Sequence, residues 1–175
     1  MTVTSLSKSE LLALDAQALE ANLTQISLRL IQQGHMLATA ESCTGGMIAA
    51  ACTDLPGAST WFERGFVTYS NAAKADMLGV PAALIEQEGA VSEAVARAMA
   101  DGALLHSQAQ VSLAVTGVAG PLGGSDAKPV GTVWFAWCVN GETHSEMQHF
   151  PGDRATIRAA TVRYALQRLL AFLLG

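Results

Sequence analysis

The sequence predicts a single α/β domain whose mixed sheet is covered by helices on both faces. Short apolar runs that read as strands alternate with helical patterns, and a hairpin signal closes the series. Half of the 175 residues are hydrophobic but only 6% are aromatic, so the core rests mainly on Ala, Leu and Val. Such small side chains allow close helix–sheet contact, and the length suffices for one sizeable core. Residues 1–14 are polar and weakly patterned and read as a loosely docked arm, with one domain over 15–175.

Leu19, Leu23, Ile26 and Leu30 recur at helical spacing, and Gly34 supplies a stop. Met36–Thr39 is a short apolar strand, and an Ala-rich helix from Met47 to about Thr53 follows the turn after it. Leu55–Ser59 is a turn, and Phe62–Tyr69 reads as a strand interrupted by Gly65. Ser70 caps a short helix closed by Gly79, and a second short helix spans Pro81 to about Gln87. Ser92 and Glu93 open a longer helix carried by Val95, Ala96, Met99 and Ala103; Gly102 weakens it in exchange for close packing. Val111–Val115 is an apolar strand ending at Thr116-Gly117, after which a Gly/Pro-rich loop runs to Pro129. Val130–Val139 and Thr143–Phe150 form a hairpin about Asn140-Gly141, a type I′ signal. Asp153 caps a final helix bearing Ile157, Tyr164, Leu166 and Leu169.

Several function classes are disfavoured. The net charge is −5 and the basic residues are scattered, which argues against a nucleic-acid or anionic-membrane surface. No apolar run approaches the roughly 20 residues of a membrane-spanning helix, and the first residues show no signal-peptide pattern. Cys43, Cys52 and Cys138 fit neither disulfide nor zinc spacing, and a reducing, cytoplasmic setting is expected. His35, His106, His144 and His149 fall at element ends with no ligand spacing, so no metal is expected.

The most informative stretch is Ala40-Glu41-Ser42-Cys43-Thr44-Gly45-Gly46, where a strand turns sharply into a helix. Helix-terminal N–H groups there favour an anion, glycines admit a ligand to the backbone, and a serine has oxyanion donors beside it. It is neither a phosphate loop nor a G-x-S-x-G elbow. Two further polar loops, Tyr69–Lys74 and Thr116–Lys128, also follow strands directly. If the three strands are parallel, Ser42, Tyr69, Lys74 and Thr116 converge beyond their carboxyl ends. Lys74 in the first turn of its helix sits where the dipole disfavours a cation, which lowers its pKa and fits it to be a base for Ser42. Cys43 is a rival nucleophile, and the residues alone do not decide between them. Arg154 and Arg158, one turn apart at the start of the last helix, are either a phosphate ligand or an exposed pair.

Together these segments resemble the CinA C-terminal domain family, the nicotinamide-nucleotide amidases. The resemblance rests on Ala40–Gly46, Pro56-Gly57, Tyr69-Ser70-Asn71-Ala72-Ala73-Lys74 with Leu78-Gly79-Val80, and Gly89–Ser92. Thr116–Pro121, Lys128–Val133 and Gly152-Asp153-Arg154 complete it, in the family's order. It implies a three-layer α/β/α sandwich, assembled as a homo-oligomer, that hydrolyses nicotinamide mononucleotide to nicotinate mononucleotide and ammonia without metal or cofactor. By the same resemblance Ser42 is the nucleophile, Lys74 its base, and Tyr69 and Thr116 complete the catalytic set. Glu41, Cys43, Thr44, Gly45, Gly46, Asn71, Gly117, Gly120 and Arg154 are then the candidate substrate-binding residues. Leu122 stands where an acidic residue is common. The alternative reading is a non-catalytic nucleotide-binding or assembly module associated with competence or damage.

Overall fold

The structure, a computed structural model, describes residues 8–175. Twelve elements follow in order: α1 (Lys8–Gln33), β1 (Leu37–Glu41), α2 (Met47–Asp54), a 3₁₀ turn (Ala58–Thr60), β2 (Phe62–Val67), α3 (Asn71–Leu78), α4 (Ala82–Glu88), α5 (Glu93–Leu105), β3 (Val111–Gly117), β4 (Thr132–Val139), β5 (Glu142–His149) and α6 (Arg154–Leu174). The sheet order is β2-β1-β3-β4-β5. β1 is parallel to both β2 and β3, whereas β3, β4 and β5 pair antiparallel. This is the expected mixed sheet, and it is the middle layer of an α/β/α sandwich.

The two faces of the sheet differ in side-chain size. Toward α1, α2 and α6 it presents Leu37, Leu113, Val115, Phe135 and Trp137. Toward α3, α4 and α5 it presents Ala38, Ala40, Ala114 and Ala136. Strand alternation produces this division, and the alanine face lets α5 lie close to the strands. On the bulkier face, each fully buried side chain such as Leu113 contributes about 1.5–3 kcal/mol. The indole of Trp137 donates its N–H to Ala165 O on α6 at 3.0 Å, so its polar atom is not left unpaired.

Capping fixes the helix starts as the sequence indicates. Ser70, Ser92 and Asp153 accept from the amides of Ala73, Val95 and Thr156 at 3.0, 3.3 and 2.8 Å. Each such cap is worth about 1 kcal/mol. Asn140 and Gly141 both have positive φ, 53° and 79°, as the type I′ hairpin requires. Gly102 is buried in α5, and a Cβ there would lie 2.1 Å from Leu78 O, so its missing methyl is what lets α3 sit against α5.

Four details differ from the sequence reading. Residues 8–14 are the first turns of α1 rather than an arm, and residues 1–7 lie outside the described residues. Their Leu, Ala, Glu and Lys content gives helix propensity without an amphipathic pattern. β1 extends two residues past Thr39, to Glu41, so the turn is shorter than expected. Gly65 does not interrupt β2; its bare Cα accommodates Ala49 of α2, whose Cβ would be 2.9 Å from an added Cβ. His144 lies within β5, stacked on Phe172 with ring centres 4.4 Å apart.

Candidate active site

Because β2, β1 and β3 run parallel, the segments that leave their carboxyl ends open on one side of the sheet. The amide of Ser42 donates to Val115 O at 3.1 Å, and that of Thr68 donates to Glu41 O at 2.8 Å. These two bonds stitch the turn that carries Ser42 to both neighbouring strands. A cavity of about 230 Å³ lies there, lined by Ser42, Cys43, Tyr69, Asn71, Lys74, Ala90, Val91, Thr116, Gly117, Ala119 and Arg154. Larger clefts of about 370 and 390 Å³ border α1 and α2, but neither contains a nucleophile beside a base.

Lys74 reaches into the cavity from α3, its side chain almost wholly buried. Its Nζ lies 3.0 Å from Ser42 Oγ and donates to Thr68 O at 2.8 Å. Burial holds the amine below its ordinary value of 10.5. Desolvation, rather than the helix dipole invoked from sequence, is therefore the main cause. Lys74 Nζ is thus held between the Thr68 carbonyl and the Ser42 hydroxyl.

The two adjacent candidate nucleophiles differ in their surroundings. Cys43 is buried, and burial pushes its thiol up to about 11, so it stays protonated at neutral pH. The contact with the Lys74 amine belongs to Ser42.

Glu41, Thr44, Gly45 and Gly46 do not line the cavity. The Glu41 carboxylate is fully buried and folds back over the start of α2. It accepts from Thr44 Oγ1 (2.6 Å) and from the amides of Gly46 (3.0 Å), Ile48 (3.0 Å) and Ala49 (2.8 Å). The anion site expected at this helix N-terminus is thus filled by the chain's own side chain. Gly45 and Gly46, at φ 62° and 97°, give the backbone the left-handed path that makes this possible. The Gly45 amide donates to Ser42 O. Among the described residues, the Cys43 and Thr44 amides are left without a carbonyl or carboxylate partner.

Of the remaining predicted residues, Tyr69, Asn71, Thr116, Gly117 and Arg154 line the cavity and Gly120 does not. Arg154 donates to Gly120 O (2.9 Å) and to the Tyr69 hydroxyl (3.1 Å), so Gly120 contributes a carbonyl to the arginine. Thr116 Oγ1 donates to Ala90 O at 2.7 Å. Sequence reasoning missed the lining role of Ala90 and Val91, whose only local signal was a short stretch before a helix cap. Arg158 is not available as a phosphate ligand, because its guanidinium donates to Cys43 O and Thr44 O. Among the described residues no group of three or more His, Cys, Asp or Glu is placed to hold a metal ion, and no helix is long and apolar enough to cross a membrane. A hydroxyl beside a desolvated amine in one cleft is a pairing suited to acyl transfer.

Comparison with known proteins finds relatives along almost the whole chain. The model of the CinA C-terminal domain matches residues 7–173. The chain is 53% identical over 147 residues to the nicotinamide-nucleotide amidohydrolase PncC of Pseudomonas putida, covering 84% of this chain and 92% of that protein. It is 55% identical over 142 residues to a CinA-like protein of Akkermansia muciniphila, where the match covers 81% of this chain but 34% of the longer relative. The crystal structure of the competence/damage inducible protein CihA from Agrobacterium tumefaciens superposes with a TM-score of 0.85 at 47% identity, over 89% of this chain and 95% of that one.

Proposed function

The chain belongs to the CinA C-terminal domain family, and from that premise we propose that it hydrolyses the carboxamide of nicotinamide mononucleotide, giving nicotinate mononucleotide and ammonia for pyridine-nucleotide recycling. The observation that carries the reading is the 3.0 Å contact between Lys74 Nζ and Ser42 Oγ in a buried cleft. It is supported by the activity named for the Pseudomonas putida relative, which this chain spans almost end to end.

In this scheme the Lys74 amine takes the Ser42 proton as Oγ attacks the carboxamide carbon. Backbone amides of the turn after Ser42 are the candidate donors for the tetrahedral oxyanion, and each such donor is worth about 10²–10³ in rate. The Lys74 ammonium then gives its proton to the departing nitrogen, and ammonia leaves an acyl-Ser42 ester. Water attacks the ester, Lys74 again takes the proton, and returning it to Ser42 Oγ releases the carboxylate. Because the Thr116 proton is spent on Ala90 O, its oxygen remains an acceptor for the carboxamide N–H. The Tyr69 oxygen accepts from Arg154, leaving its own proton free for the leaving nitrogen. The cavity is smaller than the roughly 300–1,000 Å³ of ordinary ligand sites, so only the reacting end enters and the nucleotide phosphate lies outward by Arg154. Three free cysteines fit work in a reducing, cytoplasmic compartment. The exposed Leu28 and Ile31 of α1 offer apolar surface for the homo-oligomer that the family resemblance implies.

Ammonia release from nicotinamide mononucleotide by the wild type and by Ser42→Ala, both with a chelator present, tests the proposal. Activity in the wild type and a fall of at least about 10⁴-fold in the variant are expected. Equal rates would remove Ser42 as nucleophile. A silent wild type that still binds the nucleotide would replace the amidase with a binding module.

A further inference from the structure

Arg158 lies one turn beyond Arg154 on α6 and reaches the backbone of the nucleophile turn instead of the cavity. Its Nε donates to Cys43 O at 3.0 Å and its Nη2 to Thr44 O at 2.7 Å. These are the two carbonyls immediately after Ser42. At the other end of the same turn Glu41 gathers the Thr44 hydroxyl and three amides. The turn is therefore held by a guanidinium on its carbonyls and a carboxylate on its donors. Thr44 takes part in both grips.

The chemistry of this grip bears directly on the reaction. A guanidinium presents its donors in a planar fork, so two bonds fix the relative direction of two peptide planes in a way a lysine ammonium does not. The Cys43 carbonyl belongs to the peptide unit whose N–H is that of Thr44. Hydrogen bonding to the carbonyl polarises that unit and makes its N–H a stronger donor. The Cys43 amide lies one peptide earlier, in the unit whose Ser42 carbonyl accepts from the Gly45 amide.

We propose that Arg158 is a positioning residue for catalysis: by gripping the Cys43 and Thr44 carbonyls it fixes the backbone of the turn beside the reacting carbon and keeps Ser42 Oγ on Lys74. The inference rests on the amidase reading above, and it adds a residue 116 positions from the nucleophile, on an element that contributes no reacting atom. A side chain that merely tied α6 to the sheet would affect melting and leave the rate of the folded enzyme intact. A positioning residue affects the chemical step of the folded enzyme.

The test uses the full chain as wild type, Arg158→Lys, Arg158→Gln and Arg158→Met, with three readouts. These are the melting curve, kcat and KM for ammonia release, and the rate at which a fluorophosphonate modifies Ser42, followed by intact mass. In folded Arg158→Met, kcat and the labelling rate should both fall about 10²-fold while KM changes little, since misplacement by about 1 Å costs that much. Arg158→Lys and Arg158→Gln each keep one donor nitrogen but lose the guanidinium fork, and should fall between. Wild-type kcat and labelling in any well-folded Arg158 variant would overturn the proposal, as would losses that only track the unfolded fraction. If the wild type releases no ammonia, the amidase reading fails. In that case, lost labelling in Arg158→Met still upholds the positioning role and unchanged labelling overturns it.

Discussion

Two ionisable side chains are buried against the nucleophile turn, and the fold treats them oppositely. Glu41, at the end of β1, accepts four hydrogen bonds and has no exposed surface. Lys74, on α3, is equally hidden but has only two partners, one of them the hydroxyl it is proposed to deprotonate. A charge surrounded by donors is stable as a charge and serves as architecture. An amine stripped of water with no carboxylate beside it is driven toward its neutral form and becomes a base. Rigidity is thus concentrated on the nucleophile's side of the cleft and reactivity on the other.

Replacing the reactive member should give the largest effect on rate and the smallest loss of stability. Lys74→Met is expected to lower kcat for ammonia release by about 10³-fold, within the range of general-base contributions. Its melting temperature should match or exceed that of the wild type, because a buried amine is exchanged for an apolar chain of similar length. A variant that melts much lower would erase the contrast with Glu41.

The architectural member should behave in the reverse way. Glu41→Gln keeps the shape but turns an N–H₂ group toward amides that need an acceptor. A stability loss of about 1–3 kcal/mol is expected from chemical denaturation, the cost of buried groups left unpaired. Unchanged stability would mean that the four bonds to Glu41 are dispensable.

The pH dependence sharpens the same difference at smaller amplitude. Below its lowered pKa, Lys74 is an ammonium and cannot accept the Ser42 proton, so kcat/KM should rise with pH and level off before the ordinary lysine value of 10.5. Each unit below the midpoint costs about tenfold. Because the unfolded chain holds that proton to higher pH than the folded one, stability should also rise with pH between the folded and unfolded pKa values. Lys74→Met should flatten that slope, and an unaltered slope would assign it to other groups.

Much of this was legible in the sequence, for local reasons. Ser70, Ser92 and Asp153 announced helix starts because their side chains compete for orphan amides within three residues. The convergence of Ser42, Lys74, Tyr69 and Thr116 followed from polar loops placed after apolar strands, and parallel pairing of β2, β1 and β3 fulfilled its one condition. The destination of Glu41 was not legible. A carboxylate before two glycines reads equally as a ligand contact, and only the extra strand residues turn it toward α2. Arg158 was visible as half of an i,i+4 pair, but its partners lie more than a hundred positions away, beyond any local signal. The helical start of α1 was missed because good helix formers carry propensity without periodicity.

Gly102 carries a last consequence. The short helix that presents Lys74 ends at Leu78, and the Leu78 carbonyl occupies the space where any larger residue at 102 would put its first carbon. The reach of the base toward the serine is thus calibrated from outside the cavity, by a spacer of zero thickness 28 positions further along the chain. Working parts that meet at 3.0 Å leave little slack, and here the clearance is set by an atom the chain omits.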